Sequence, residues 1–257
     1  MSETKKPLIM GILNVTPDSF FDGGRYADLP AVLARAEQIL QEGADILDIG
    51  GESTRPGAAK VQSAEETKRV LPAIREIKKH YPNAVISVDT YHYETALAAL
   101  REGAQIINDI SGLKDLRLAD LAAQYGAKLV IMHIKGMPDT MQNFCDYKDI
   151  FKEISSFFEQ KIALAQEHGV NKENIILDIG LGFAKTREQN WLLLENISRF
   201  KDLGFPLLIG ASRKSFTDKS LEISLKCAQM AARQGASYLR VHDVKETVSA
   251  LEEVYAK

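Results

Sequence analysis

The chain has 257 residues, of which 45% are apolar and 26% are charged, and its formal net charge is −3. That length suits one large α/β barrel or two smaller domains, and it allows most of the apolar surface to be buried without disulfide or metal cross-links. The small net charge gives no electrostatic reason to expect nucleic acid or an anionic membrane as the main partner. Any bound anion must therefore be held by local basic residues.

The beginning of the chain and its two cysteines bear on location. Residues 1–6 are polar and lack the apolar segment of a signal peptide, and no apolar run in the sequence reaches membrane-spanning length. Cys145 and Cys227 lie far apart, without CxxC or metal-binding spacing, so reduced thiols are expected. We therefore expect a soluble, cytoplasmic protein.

A repeated pattern of strand, helix and glycine runs along the chain. The first strand is predicted near residues 8–13, and a helical pattern over 29–42 leads to a second strand. Helical patterns over 63–80 and 91–102 flank a third strand near 84–88, and the others cover 115–125, 146–168, 188–203, 222–234 and 244–255. Glycines precede the remaining apolar runs, at Gly43, Gly103, Gly126, Gly169, Gly204 and Gly235. Glycine after a helix supplies the left-handed residue that closes it, and short apolar runs are typical of strands buried on both faces.

Eight strands alternating with eight helices predict an α/β fold. We expect a single (β/α)8 TIM barrel, with residues 1–257 forming one domain. A doubly wound open sheet is the alternative, but no GxGxxG follows the first strand. Residues 63–66 (Ser-Ala-Glu-Glu) are expected to form a capping box that opens the second helix.

Polar residues stand at the end of each predicted strand. They are Asn14, Asp48 with Glu52, Asp89, Asn108 with Asp109, His133, Asp178, Ser212 to Lys214, and Arg240 with His242. In a barrel these positions converge on the face where active sites lie. A single Asp or Asn after a strand more often caps the next helix, so Asp48 and Asp109 are open to a structural interpretation. His133 is equally consistent with a core histidine and a site residue.

Three features favour a functional interpretation. Residues 14–24 form a long loop with polar groups and two adjacent aromatics, and residues 50–57 are glycine-rich with one arginine, Arg55. Residues 212–216 and 240–242 follow strands seven and eight, whose loops commonly form the phosphate site of a barrel. Their Arg and Lys side chains, together with backbone amides, suit a phosphorylated or pyrophosphorylated ligand.

Asp89, Asp178 and Asn108 indicate a second, acidic sub-site. Carboxylates deep in a barrel need partners that donate hydrogen bonds. A nitrogen-rich heterocycle with amino and ring N–H groups would supply them, and so would Lys214 when no ligand is bound. The sequence thus predicts an acidic, amide-lined slot deep in the barrel and a cationic rim above it.

These segments resemble dihydropteroate synthases. The matching segments occur in family order and span nearly the whole chain: GILNVTPDSF (11–20), GGESTRPG (50–57), SVDT (87–90), INDISG (107–112), LDIGLGF (177–183), SRKSF (212–216) and RVHD (240–243). The first two are the most specific. The family joins 6-hydroxymethyl-7,8-dihydropterin pyrophosphate to p-aminobenzoate, which gives 7,8-dihydropteroate and pyrophosphate in folate biosynthesis.

The resemblance implies roles for individual residues. The implied pterin-binding set is Asp89, Asn108, Asp178 and Lys214, and the implied pyrophosphate-binding set is Asn14, Thr54, Arg55, Arg240 and His242. Asn14 is also implied as the contact of a Mg²⁺ ion carried with the pyrophosphate. The implied wall of the p-aminobenzoate site is Phe20, Pro56, Phe183, Lys214 and Ser215, and the implied catalytic set is Asp89, Asp178, Lys214 and Arg55. A homodimer and inhibition by sulfonamides, which mimic p-aminobenzoate, are further implications.

The chemistry of that reaction is consistent with these roles. The aniline nitrogen is already neutral at pH 7, so no strong general base is needed. The difficult step is the departure of pyrophosphate from a methylene carbon, which an electron-rich pterin assists by stabilising positive charge. We therefore expect a dissociative, SN1-like route in which electrostatic stabilisation contributes more than proton transfer.

The segment after strand seven departs from the family pattern. Residues 217–226 form a shorter stretch than is usual in the family. The shape of the loop after strand seven, and the dimer surface usually built on the late helices, are where a difference from the family is expected.

Two rival functions share parts of the pattern. A pterin-binding methyltransferase domain that uses methyltetrahydrofolate would share the barrel and the acidic residues, but it needs neither the Thr-Arg-Pro loop nor Ser-Arg-Lys-Ser. A non-catalytic barrel that only binds a pterin is the other alternative, and retention of the cationic rim argues against it.

Overall fold

The protein is a closed barrel of parallel strands in a computed structural model that describes residues 5–16, 28–52 and 60–256. The strands pair in sequence order, and β8 closes the barrel against β1. Their bounds are β1 Leu8–Asn14, β2 Ile46–Gly50, β3 Val85–Asp89, β4 Ile106–Asp109, β5 Lys128–Met132, β6 Ile175–Asp178, β7 Leu207–Ile209 and β8 Tyr238–Val241. The predicted (β/α)8 barrel is confirmed, and the open sheet is excluded.

A helix follows each strand in the described residues. The α-helices are α1 Leu29–Gln41, α2 Ser63–His80, α3 Tyr93–Arg101, α4 Arg117–Tyr125, α5 Ile150–Glu167, α6 Arg187–Leu194, α7 Leu221–Arg233 and α8 Val244–Tyr255. Shorter 3-10 helices cover Met141–Phe144, Lys172–Asn174, Ile197–Leu203 and Ser215–Thr217. None of the helices in the described ranges has both the length and the apolar character needed to cross a membrane.

Two local predictions about helix ends are wrong. Ser63 lies inside α2, the preceding Gln62 makes no capping bond through its side chain to a described residue, and Glu66 instead accepts a 2.6 Å hydrogen bond from the Thr90 hydroxyl. The expected capping box is therefore absent, because Glu66 is drawn inward to the end of β3. The helix predicted over 188–203 is also broken, since the side-chain amide of Asn196 bonds the Leu192 carbonyl oxygen and ends α6.

The apolar core has two layers. One fills the barrel interior and consists of Met10, Ile46, Ile106, Val130, Ile176, Leu208 and Tyr238, with Val85 packed against it. The other lies between the strands and the surrounding helices, and includes Leu47, Ile49, Ile107, Leu129 and Phe158. Because side chains alternate across a strand, each strand supplies both layers. The interior layer is the floor of the site described next.

Candidate functional site

The predicted site residues point into the barrel because of their spacing from the apolar floor. Asp48, Asn108, Asp178 and Arg240 each follow a floor residue of the same strand by two positions, and Asn14, Asp89 and His242 lie four positions beyond one. Side chains two or four apart on a strand share a face. The polar residues therefore form a layer directly above the floor, at the carboxyl ends of the strands.

A buried charge cluster occupies the centre of this layer. Arg240 donates to Asp48 Oδ2 through Nε and to Asp89 Oδ2 through Nη2, both at 2.6 Å. Asn108 donates its side-chain amide to Asp48 Oδ2 at 3.3 Å. The sequence suggested Lys214 as a donor to Asp89 and Asp178 without a ligand, but Arg240 is the donor to Asp89, and the Gly180 N–H donates to Asp178. Arg240 thus lies in the acidic slot, not only at the cationic rim as expected.

Burial and charge together set the protonation of the slot. Burial raises the pKa of Asp89 to about 7, and the opposing attraction of Arg240 is weakened because that guanidinium is shared with Asp48. Burial would by itself lower the pKa of Arg240, but the two carboxylates raise it, so Arg240 stays cationic. Burial also raises the pKa of Asp178, against the Gly180 N–H bond and the nearby cations. Desolvation of this kind is typical of ligand sites.

Lys214 and Phe183 border the slot on the side of β6 and β7. The Lys214 Nζ atom lies 4.0 Å from the centre of the Phe183 ring, which is a cation–π contact. Burial and Arg240 lower the pKa of Lys214 to about 8, while Asp178 and Asp89 act in the opposite direction. Ser215, the next residue, is exposed at the start of a 3-10 helix.

A polar cavity of about 230 Å³ opens beside the slot, at the ends of β1 and β8. Its lining residues are Ile12, Leu13, Asn14, Arg35, Arg213, His242 and Asp243. The Nδ1 atom of His242 lies 3.0 Å from the Ser212 hydroxyl, and burial together with Arg240 and Arg213 lowers the pKa of His242 to about 4. His242 is therefore neutral at pH 7 and offers hydrogen bonding. Arg35 and Arg213 bring positive charge, but Arg213 donates through Nε to Asp243 of the same lining at 2.9 Å, so an anion would compete with that carboxylate.

The cavity also bears on the implied magnesium ion. Across the described ranges, no three side chains of His, Cys, Asp or Glu cluster as a metal site. Asn14 brings one amide oxygen to a cavity that already holds anion-binding groups. Mg²⁺ usually keeps several waters and binds through few protein oxygens together with substrate phosphates. The donor set therefore fits an ion held jointly by Asn14 and a bound pyrophosphate.

The remaining predicted residues divide into two groups. Phe20, Thr54, Arg55 and Pro56 lie outside the described residues. Asp109 is structural, because its carboxylate accepts from the backbone N–H groups of Ser111 and Leu113. His133 is a buried core histidine that faces the helices, and burial and Lys185 lower its pKa to about 2.

Two residues of this region were missed by the sequence interpretation. Arg35 of α1 reaches the cavity and donates to the His242 carbonyl oxygen at 3.3 Å. Its position within a predicted helix gave no indication that it would line the site. Lys185 is buried behind the loop that follows β6. A charged residue two positions after the Gly-Leu-Gly-Phe segment (180–183) was the available signal for Lys185.

Comparison with known proteins places the chain among pterin-binding enzymes. A sequence profile of the family described as "Pterin binding enzyme" matches residues 10–242. A dihydropteroate synthase from Synechocystis is 46% identical over 252 residues, covering 94% of this chain and 86% of that relative. The structure of a Clostridium difficile dihydropteroate synthase, obtained in the presence of pteroic acid, superposes with a TM-score of 0.92 at 40% identity, over 100% of this chain and 98% of that one. A Yersinia pestis dihydropteroate synthase in complex with a sulfonamide drug gives a TM-score of 0.91 at 40% identity, over 98% and 94% of the two chains.

Proposed function

The chain belongs to the dihydropteroate synthase family, and we propose how its own residues carry out that family's reaction, the condensation of 6-hydroxymethyl-7,8-dihydropterin pyrophosphate with p-aminobenzoate. The observation that carries the proposal is the adjacency of two opposite environments. The buried carboxyl group of Asp89 lies near Asn14, which lines the cavity together with Arg35 and His242: a Cβ atom added at Gly50 would stand 3.4 Å from Asp89 Cβ and 3.7 Å from Asn14 Oδ1. A flat hydrogen-bond donor that bears a pyrophosphate would fill both.

The acidic slot would bind the pterin through Asp89, Asn108, Asp178 and Lys214. Burial raises the pKa of both carboxyl groups, so a ligand that donates amino and ring N–H groups restores the hydrogen bonds that water would give. Lys214 would donate to a pterin acceptor atom from the opposite side. Arg240 would hold Asp89 in place through its 2.6 Å bond.

The cationic cavity would bind the pyrophosphate. We assign Asn14, Thr54, Arg55, Arg240 and His242 to this group, and we add Arg35 and Arg213 because they line the same cavity as Asn14 and His242. Asn14 would hold a Mg²⁺ ion together with the pyrophosphate oxygens. When bound, that ion supplies charge neutralisation of the leaving group.

The p-aminobenzoate would lie against Phe183, Lys214 and Ser215, with Phe20 and Pro56 completing the wall. Phe183 is buried and its ring is already covered on one side by the Lys214 ammonium group. A flat aromatic ring fits such a surface, and the ammonium group attracts its carboxylate. The pteroic acid named with the Clostridium difficile relative joins these two ligand halves and supports the arrangement.

In the reaction, the bond between the methylene carbon and the pyrophosphate oxygen breaks, and its electron pair leaves with the pyrophosphate. The aniline nitrogen then donates its lone pair to that carbon, and the proton that it loses passes to solvent water. Asp89 and Asp178 favour positive charge on the pterin, while Arg55, Arg240 and His242 stabilise the developing charge of the leaving group. The residues act by position and charge, in the SN1-like route expected above.

Assembly and location complete the proposal. We propose a single domain over residues 1–257 that forms a homodimer through the late helices α7 and α8, and a cytoplasmic location. The unpaired cysteines, Cys145 and Cys227, support a reducing compartment. Light scattering after gel filtration measures the assembly, and a monomer at micromolar concentration would refute the dimer.

One assay tests the function. Pure protein is incubated with the pterin pyrophosphate, p-aminobenzoate and Mg²⁺, and 7,8-dihydropteroate is measured by chromatography. Formation of dihydropteroate that requires both substrates is expected. A folded protein that makes no dihydropteroate would overturn the assignment. If that protein instead consumes methyltetrahydrofolate in a second incubation, the methyltransferase is indicated.

A further inference from the structure

Lys185 is a buried lysine to which the proposed reaction gives no role. It ends the loop that runs from Ile179 to Lys185 after β6, which we call the β6 loop. Its Nζ atom donates to the carbonyl oxygens of Gly180 and Phe183, both at 2.9 Å, and lies 3.1 Å from His133 Nδ1. The two carbonyl oxygens therefore accept two hydrogens of the Lys185 amino group, and His133 Nδ1 is its third polar neighbour.

The β6 loop has a backbone that needs such support. Gly180, Gly182 and Ala184 have φ values of 66°, 81° and 48°, so left-handed residues alternate along it. For alanine this region costs about 1–2 kcal/mol and persists only where surrounding contacts fix it. The two bonds from Lys185 join the beginning and the end of the loop from the inside.

The β6 loop carries the groups that the proposed reaction uses. Phe183 lies in it, and a Cβ atom added at Gly182 would stand 3.0 Å from Lys214 Cδ, so the Lys214 side chain rests on the loop backbone. The Gly180 N–H donates to Asp178 Oδ1 at 2.7 Å. The conformation of this loop thus determines where Phe183 and Lys214 stand.

We propose that Lys185 is a positioning residue: by bonding the Gly180 and Phe183 carbonyl oxygens, it holds the β6 loop in the form that places Phe183 and Lys214 for p-aminobenzoate. The inference rests on the proposed function, which assigns those two residues to that substrate. Lys185 touches no substrate itself, because it lies behind the loop against His133. Burial lowers the pKa of Lys185 to about 7 against the opposing charge of Asp178, which agrees with its enclosed position.

The test compares two lysine-to-methionine variants. Lys185→Met keeps the length of the side chain and removes the donors. The matched control is Lys161→Met, because Lys161 also donates to a loop carbonyl oxygen, that of Leu113 at 3.0 Å, and Leu113 is also left-handed. The loop of Leu113 carries none of the assigned substrate residues. A general effect of losing a lysine that supports a loop would therefore appear in both variants.

Three quantities are measured for each variant: KM for p-aminobenzoate at saturating pterin pyrophosphate, Kd for the pterin pyrophosphate by calorimetry, and the urea midpoint. For Lys185→Met we expect KM to rise about tenfold or more, since small displacements of positioning groups have effects of this size. The Kd for the pterin pyrophosphate should rise by a smaller factor than KM does, because three of the four assigned pterin residues, Asp89, Asn108 and Asp178, lie on strands and only Lys214 rests on the β6 loop. Lys161→Met should leave KM and Kd within about twofold of the parent values.

Several outcomes would overturn the inference. An unchanged KM in Lys185→Met, with a lowered urea midpoint like that of Lys161→Met, would show a merely structural role. If Lys185→Met does not fold, Tyr147→Phe replaces it, because the Tyr147 hydroxyl donates to the Ala184 carbonyl oxygen of the same loop at 2.9 Å. A KM for p-aminobenzoate that is unchanged in this variant would also count against the inference. Wild-type protein without activity would overturn both the function and the inference, whereas active wild type with an unaffected variant overturns the inference alone.

Discussion

Replacing Asp89 with asparagine should stabilise the ligand-free protein at pH 8 while weakening pterin binding. Burial raises the pKa of Asp89 from 3.8 to about 7. For an acid whose pKa is higher in the folded than in the unfolded state, the folded state binds more protons between the two values. Stability therefore falls as the pH rises through that interval, with no cost below pH 3.8 and the full cost above pH 7.

The size of the effect follows from that interval. The full cost of burying the charged carboxylate is about 4 kcal/mol, and about 2–3 kcal/mol of it develops between pH 5 and pH 8. Asparagine has nearly the same shape and its amide oxygen can still accept the bond from Arg240. The attraction between Arg240 and the charged carboxylate is already part of the pKa of Asp89, so it needs no separate correction.

The assay is urea unfolding at pH 5 and pH 8, followed by circular dichroism, for wild type, Asp89→Asn and Glu94→Gln. The free energy of unfolding of Asp89→Asn, relative to wild type, should rise by about 2–3 kcal/mol from pH 5 to pH 8. Glu94 is exposed on α3, so its variant should show no such change. Calorimetry should give a Kd for the pterin pyrophosphate at least about 30-fold weaker for Asp89→Asn. If Asp89→Asn is less stable than wild type by the same amount at both pH values, Arg240 stabilises the charged carboxylate fully and the reasoning is wrong.

Further predictions concern the slot, the two loops and inhibition. Asp178→Asn should weaken pterin binding by about 30-fold or more, measured by calorimetry, and unchanged affinity would contradict its place in the slot. Arg55→Ala should reduce kcat by about 100-fold or more with little change in melting temperature; normal turnover with a large loss of thermal stability would refute its assigned role. Gly180→Ala should destabilise the protein by several kcal/mol in urea unfolding, because the new Cβ atom would stand 2.0 Å from the His133 carbonyl oxygen. The control is Gly126→Ala, at a similar φ but with no atom within 4 Å of the new Cβ, which should cost only about 1 kcal/mol. Equal losses for these two variants would mean that the close approach is relieved by movement of the backbone. Sulfonamides should inhibit competitively with p-aminobenzoate, and noncompetitive kinetics would place them elsewhere.

The strand ends could be predicted because their signal is local. The two-residue alternation that makes Ile46 and Ile176 part of the barrel floor also directs Asp48 and Asp178 inward. The expected cap of α2 failed through a contact across the structure. Glu66 accepts instead from the Thr90 hydroxyl, directly after β3, an interaction that no pattern within α2 could reveal. The break in the helix predicted over 188–203 is by contrast a local effect of Asn196.

The partners of the charged groups could not be predicted in the same way. Lys214 was expected to donate to Asp89 and Asp178 when no ligand is bound, yet the donor to Asp89 is Arg240, which is 151 residues away in the sequence. Arg35 likewise reaches the cavity from a helix whose sequence resembles any amphipathic surface helix. Such pairings depend on distances between strands and helices that are remote in sequence.

The sequence by itself determined the eight repeats, the closing glycines and the set of polar residues at the strand ends, because backbone conformation and side-chain alternation depend on neighbouring residues. The tertiary structure decided which of those residues act on each other. Pairing of β8 with β1 places Arg240 over Asp48 and Asp89 and joins Asn14, Arg213 and His242 around one cavity. Pairing of β5 with β6 buries Lys185 beneath the β6 loop, since it brings His133, which directly follows β5, against that loop.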